Sequence, residues 1–79
     1  MPDINLIVAR NVERFRLQRR MSASQVAREA GLSKATLLSI EMGRANPTLD
    51  TLQRLSEELK VSVPDLIVES AESVVDVRR

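Results

Sequence analysis

Residues 22–43 read SASQVAREAGLSKATLLSIEMG, and the punctuation of this stretch decides the fold. Ser22, with Gln25 three positions on, has the pattern of a capping box. In it a hydroxyl and an amide side chain each satisfy a backbone N–H that a starting helix leaves unpaired. A helix therefore begins at Ala23. Gly31 ends it, because glycine takes the left-handed conformation that closes a helix without a Cβ clash. Leu32 spans a short connection, Ser33 caps a second helix from Lys34 to Met42, and Gly43 stops that helix in the same way. Two short helices joined by a tight turn make a helix-turn-helix.

At about 100° per residue the second helix has two unlike sides. Leu37 and Ile40, with Thr36, form a core face. Lys34, Ala35, Leu38, Ser39 and Met42 lie opposite. Such small, polar and basic groups suit a helix that lies in a groove and offers hydrogen bonds to base edges.

Composition narrows the field. The chain of 79 residues has room for one domain with a small core, a size at which self-association helps stability. Having no cysteine and no histidine, it lacks thiolate or imidazole metal ligands and the usual general base, so no catalytic residues, metal or cofactor are assigned. Neither a signal-peptide core nor a run of about 18 apolar residues is present, and a soluble, cytoplasmic protein with no membrane association is expected. Net charge is only +1, but it is unevenly spread. Eight basic residues face four acidic ones up to Asn46, whereas four face seven from Pro47 onward. The basic half holds the helix-turn-helix, so one surface is suited to phosphates. Phe15 is the only aromatic residue, which argues against single-stranded nucleic acid, whose bases are stacked on aromatic platforms.

Working outward, Ile4, Ile7, Val8, Val12 and Phe15 recur at helical spacing and predict a first helix from a cap at Asp3 to about Arg20. Val26, Ala27 and Ala30 give the second helix its core face. Ser22 and the backbone N–H groups of Ala23 and Ser24 form a positive helix end that can meet phosphate. Gly43 to Pro47 is a loop carrying Arg44 and Asn46, also placed for phosphate. Thr48 caps a fourth helix with an apolar stripe of Leu49, Leu52, Leu55 and Leu59, ended by Lys60-Val61. Ser62 with Asp65 starts a short fifth helix with Leu66 and Ile67 as its apolar face. Domain boundaries fall at 1–68 for the helical domain and 69–79 for a tail. The valines at 74, 75 and 77 favour an extended arm for dimerisation or the start of a further domain.

The Ser22-x-x-Gln25 start, Val26-Ala27, the turn Ala30-Gly31-Leu32-Ser33, Ile40-Glu41-x-Gly43-Arg44 and Asn46-Pro47-Thr48-Leu49-x-Thr51-Leu52 together resemble the phage-repressor and xenobiotic-response-element (XRE) family of helix-turn-helix regulators. The likeness runs over roughly residues 8 to 68. It implies an all-α, five-helix, lambda-repressor-like domain that binds double-stranded DNA as a homodimeric transcriptional regulator of the repressor kind, acting by occluding or positioning RNA polymerase. The base-reading positions of the family fall on Lys34, Ala35 and Ser39, with Leu38 beside them. A basic residue and a glutamate that pair in the family fall on Arg16 and Glu41. The two-fold contact falls on Val61, Val63, Leu66 and Ile67. Ala23 stands where many relatives have a glutamine that braces the second motif helix. A small-molecule effector is expected only if a sensor domain lies beyond this chain. The rival expectation is an antitoxin or other protein-interaction module in which DNA binding is secondary.

Overall fold

The computed structural model describes residues 3–69. Five helices succeed one another: α1 (Ile4–Gln18), α2 (Ala23–Ala30), α3 (Lys34–Glu41), α4 (Leu49–Leu59) and α5 (Val63–Ile67). The tail assigned to residues 69–79 lies outside the described residues apart from Glu69. α1 packs on α3, α4 and α5, while α2 packs on α3 and α4. Between them lies one core of Val8, Val12, Val26, Ala27, Ala30, Leu37, Ile40, Leu52, Leu55, Leu59 and Leu66. Ala27 and Ala30 are small enough for α2 to come close to its neighbours. Leu37 at 0% exposure and Ile40 at 1% anchor α3 by the face assigned to them.

All five helices start on a side-chain cap. Asp3, Ser22, Ser33, Thr48 and Ser62 hold extended backbone angles and accept from an amide in the first turn, each replacing water at a donor the helix cannot pair. The reciprocal half of the box at Ser22 is not made. Gln25 Nε2 instead donates to Glu29 one turn on, at 3.4 Å. At α5 the box is complete. Ser62 N–H donates to Asp65 Oδ2 at 2.9 Å and Asp65 N–H donates to Ser62 Oγ at 3.2 Å. The Ser62 backbone bond, then its hydroxyl, holds the Asp65 carboxyl below its usual pKa. This contribution is present above the ordinary carboxylate range and is lost as pH falls through the lowered value.

The helix ends share one device. The amides of Met21, Leu32, Arg44 and Val61 return to the carbonyls of Arg16, Ala27, Ser39 and Ser56, the six-residue closure of a Schellman motif. The residue before each of those amides sits in the left-handed region: Arg20 at φ 57°, Gly31 at 75°, Gly43 at 73° and Lys60 at 60°. Two of the four are therefore not glycine, and α1 stops at Gln18 with Arg20 outside it. α3 likewise stops at Glu41, one residue short of expectation, with Met42 as its cap. A left-handed L-residue costs about 1–2 kcal/mol, offset by the roughly 0.5–1 kcal/mol of extra freedom that glycine loses on folding. Arg20→Gly and Lys60→Gly are each expected to raise stability by about 0.5–1 kcal/mol and the melting temperature by a few degrees. A fall in melting temperature for both would refute the assignment of strain.

Three apolar assignments change. Ile4 is 49% exposed and Leu49 is 78% exposed; both lie in the first turn of their helix, beyond the reach of the packed neighbours. Phe15 is only partly buried against the core, with the Arg14 guanidinium 4.3 Å from its ring centroid. Asn11, by contrast, is 2% exposed. Its Nδ2 donates to the carbonyls of Leu66 and Val68, both at 2.9 Å, and its Oδ1 accepts from Arg14 Nη2 at 3.0 Å. The C-terminal end of α5, where a helix leaves carbonyls unpaired, is thus fastened to the middle of α1.

Candidate nucleic-acid interface

Because Leu37 and Ile40 turn α3 into the core, its opposite side is left outward. Lys34 and Ala35 are exposed at the first two positions, while Leu38 and Ser39, one turn on, are half-buried. Among the described residues the Lys34 side chain makes no hydrogen bond or ion pair, so its ammonium is available to a ligand. The Ser33 hydroxyl is occupied, accepting from Thr36 N–H at 3.0 Å and donating to Thr36 Oγ1 at 2.8 Å. The start of α3 is thereby held in one conformation, with Lys34 projecting from a fixed turn.

Of the residues assigned to phosphate, Ser22 and Ser24 are exposed, and so are Arg44 and Asn46. Ala23 is half-buried, its methyl against the core, which leaves its backbone N–H as the group for an anion. Arg44 comes directly after the closure of α3, its own amide bonded to Ser39 O at 3.0 Å. The turn at Gly43 is braced from the other side: a Cβ there would lie 2.6 Å from Leu6 Cδ2. α1 therefore meets the exit of α3 through the Leu6 side chain, at a residue whose φ of 73° favours glycine.

A second and stronger tie between these helices is ionic. Arg16 Nε donates to Glu41 Oε2 at 2.7 Å and Nη2 donates to Oε1 at 2.9 Å, a two-pronged pair, while Nη1 donates to Met21 O at 3.1 Å. Both side chains are largely shielded, 13% and 8% exposed. The hydrogen bond to Glu41, opposed by burial, holds the guanidinium above its ordinary pKa. One fork thus binds α1, the last residue of α3 and the chain leading into α2.

The residues assigned to a two-fold contact divide. Leu66 is 0% exposed and belongs to the core; it cannot meet a second molecule, because α5 uses it to seat on α1 and α4. Val61 and Val63 are partly buried against that core. Ile67 at 39% and Val68 at 54% are the exposed apolar groups of this end. Asn11, with Arg14, ties α5 to α1 without a motif in the sequence to mark it. Its signal is a polar residue on the inner stripe of α1, directly before Val12. Among the described residues there is no cluster of metal-ligating side chains, and no helix is long and apolar enough to cross a membrane.

An all-α domain of this order, with capped helices on either side of a glycine turn and an outward-facing third helix, defines a helix-turn-helix domain of the transcription-regulator class. The HTH_3 helix-turn-helix family matches residues 12–66, and the chain belongs to that XRE-type family. It is 34% identical over 71 residues to an uncharacterized HTH-type transcriptional regulator, y4dJ, of Sinorhizobium fredii, covering 90% of this chain and 92% of that one. It is 38% identical over 65 residues to the control protein C.SmaI of Serratia marcescens, covering 82% and 77%. Among solved structures it superimposes on a hypothetical transcription factor, NHTF, from Neisseria with a TM-score of 0.85 at 25% identity, covering 92% and 84%. It also matches a SinR–SinI protein complex with a TM-score of 0.76 at 31% identity, covering 90% and 75%.

Proposed function

We propose that this chain binds duplex DNA in a sequence-specific manner as a homodimer and acts as a repressor from the cytoplasm. The observation that carries the proposal is the division of α3, whose inner face is locked into the core while Lys34, Ala35, Leu38 and Ser39 are offered on the outer one. Inserted into a major groove, Lys34 donates to guanine O6 and N7, Ala35 and Leu38 meet thymine methyl groups, and Ser39 bonds to one of several bases. Ser22, the amides of Ala23 and Ser24, Arg44 and Asn46 hold the sugar-phosphate backbone and set register without reading sequence. These readers are few and short, so each half-site discriminates modestly. Pairing two half-sites through a surface of Val61, Val63 and Ile67, with Leu66 only supporting it from within, multiplies that discrimination. Bound in this way, the protein excludes or positions RNA polymerase and performs no chemistry.

Selection from a randomised duplex library at about 0.15 M salt, where nonspecific binding is weak, is the direct test. The expected product is a two-fold symmetric motif with half-sites centred about 10 base pairs, one helical turn, apart. Recovery of an asymmetric single half-site would refute the homodimer, and no enrichment at all would refute sequence-specific binding. A second reading is kept because one similar structure is a complex of a regulator with another protein. In that reading the partner is a protein and the α3 face is idle.

A further inference from the structure

Met21 packs partly buried against the core, while its neighbours Arg20 and Ser22 are both exposed. The linker that carries them is held on both sides. Arg20 N–H donates to Leu17 O at 3.0 Å and Met21 N–H to Arg16 O at 3.1 Å, and Met21 O accepts from Arg16 Nη1 at 3.1 Å. The fork from Arg16 to Glu41 fastens this corner to the end of α3. Arg20 is thus fixed beside Ser22, one of the residues assigned to phosphate. Two trans peptide links put its Cα within about 7.6 Å of the Ser22 Cα, a distance that an arginine side chain covers.

Two unfavourable forces act on Arg20 in the free protein. Its φ of 57° is disfavoured for a residue with a Cβ. It also stands among charges of its own sign, because between Glu13 and Glu29 the chain has no acidic residue and five arginines, at 14, 16, 19, 20 and 28. Arg16 is paired with Glu41. Among the described residues the side chains of Arg19 and Arg20 make no hydrogen bond or ion pair. Arg19 caps the end of α1, where a cation meets the negative end of the helix dipole; Arg20 lies one residue past that cap. Strain does not single out Arg20, since Lys60 shares it, but its unpaired charge two residues from Ser22 does. Glycine would make the turn more easily and bring no charge. A phosphate would relieve the repulsion between the adjacent guanidinium groups and accept paired hydrogen bonds from one of them.

We propose that Arg20 is a phosphate contact of the DNA-binding surface, a side-chain cation that helps to set the register of α2 and α3 on the duplex without reading sequence. The inference rests on the duplex-DNA reading of the α3 face and adds a residue to it.

On the full chain, Arg20→Gly and Arg20→Asn remove the charge with residues that accept positive φ, and Arg20→Lys keeps the charge. Fluorescence anisotropy on the selected duplex and on an unrelated one, from about 0.05 to 0.2 M salt, is measured at a temperature where circular dichroism shows every variant folded. Both neutral variants are expected to bind both duplexes about tenfold more weakly, with the ratio between the duplexes unchanged. Their log K should fall less steeply with log salt, by about 0.9 for each bound chain, and Arg20→Lys should retain most of the affinity and the slope. Unchanged affinity and slope in the neutral variants would overturn the assignment. So would a loss confined to the selected duplex, or one that Arg20→Lys shares in full. Those outcomes leave the parent binding DNA; a parent that binds neither duplex would overturn the DNA reading itself, and Arg20 with it.

Discussion

Arg16→Ala is expected to cost about 3–5 kcal/mol, the typical result of removing one partner from a buried ion pair. The reason lies less in the attraction lost than in what is left behind. Glu41 is 8% exposed, so without the guanidinium it would keep a carboxylate among the ends of α1 and α3 with little water to solvate it. Met21 O would lose its donor in the same step. A domain with so small a core has only about 3–5 kcal/mol to spare, so the variant is expected to be largely unfolded at 37 °C, with a melting temperature lower by on the order of 15 °C. Replacing both partners, as in Arg16→Met with Glu41→Leu, should recover most of the loss, because a packed apolar pair carries no desolvation cost. Thermal melts followed by circular dichroism decide the matter. A single variant within about 2 °C of the parent would show the pair to be energetically idle. The raised pKa of Arg16 sets the pH behaviour: stability from a raised cation is complete below its unfolded pKa and is lost as pH rises through the folded one. This contribution is therefore constant across neutral and acidic pH on the arginine side and fades only in strongly alkaline solution.

How much of this was legible in the sequence depended on whether a single residue type could carry the instruction. Ser22, Ser33 and Thr48 mark helix starts because a short hydroxyl side chain reaches the first-turn amides, and Gly31 and Gly43 mark helix ends because they take positive φ freely. α2 and α3 were bounded on those grounds to within a residue. Arg20 and Lys60 perform the same turn without the marker, so the sequence predicts α1 two residues longer than its end at Gln18. The stripe of α4 predicted Leu52, Leu55 and Leu59 inside, but spacing alone could not say that Leu49 lies in a first turn with no neighbour to cover it. In α5, Leu66 and Ile67 are adjacent and so point about 100° apart. One of them had to face inward, and only the position of α1 and α4 chooses Leu66. Asn11 was invisible for a related reason: its partners are carbonyls more than fifty positions away along the chain. The outward face of α3 was readable because a helix that buries Leu37 and Ile40 must present Lys34 and Ala35 elsewhere.

Lys34→Glu is expected to weaken binding to the selected duplex by about 100-fold or more while leaving the fold intact. The substitution removes a base-edge contact worth roughly 1–3 kcal/mol. It also places a carboxylate where the phosphate field is strongest, so the repulsive part should shrink as salt rises. The fold responds with the opposite sign. Lys34 is the first residue of α3 and has no partner among the described residues, and a negative charge there interacts favourably with the positive end of the helix by about 0.3–1 kcal/mol. Lys34→Glu should therefore melt at or slightly above the parent temperature, and its failure on DNA cannot be laid to unfolding. Lys34→Ala should fall between, losing about tenfold and relaxing preference at one base pair of each half-site. Fluorescence anisotropy on the selected duplex and on one with that base pair changed supplies both readings. If Lys34→Glu bound as tightly as the parent, the α3 surface would not be the reading surface, and the protein-partner alternative would take its place.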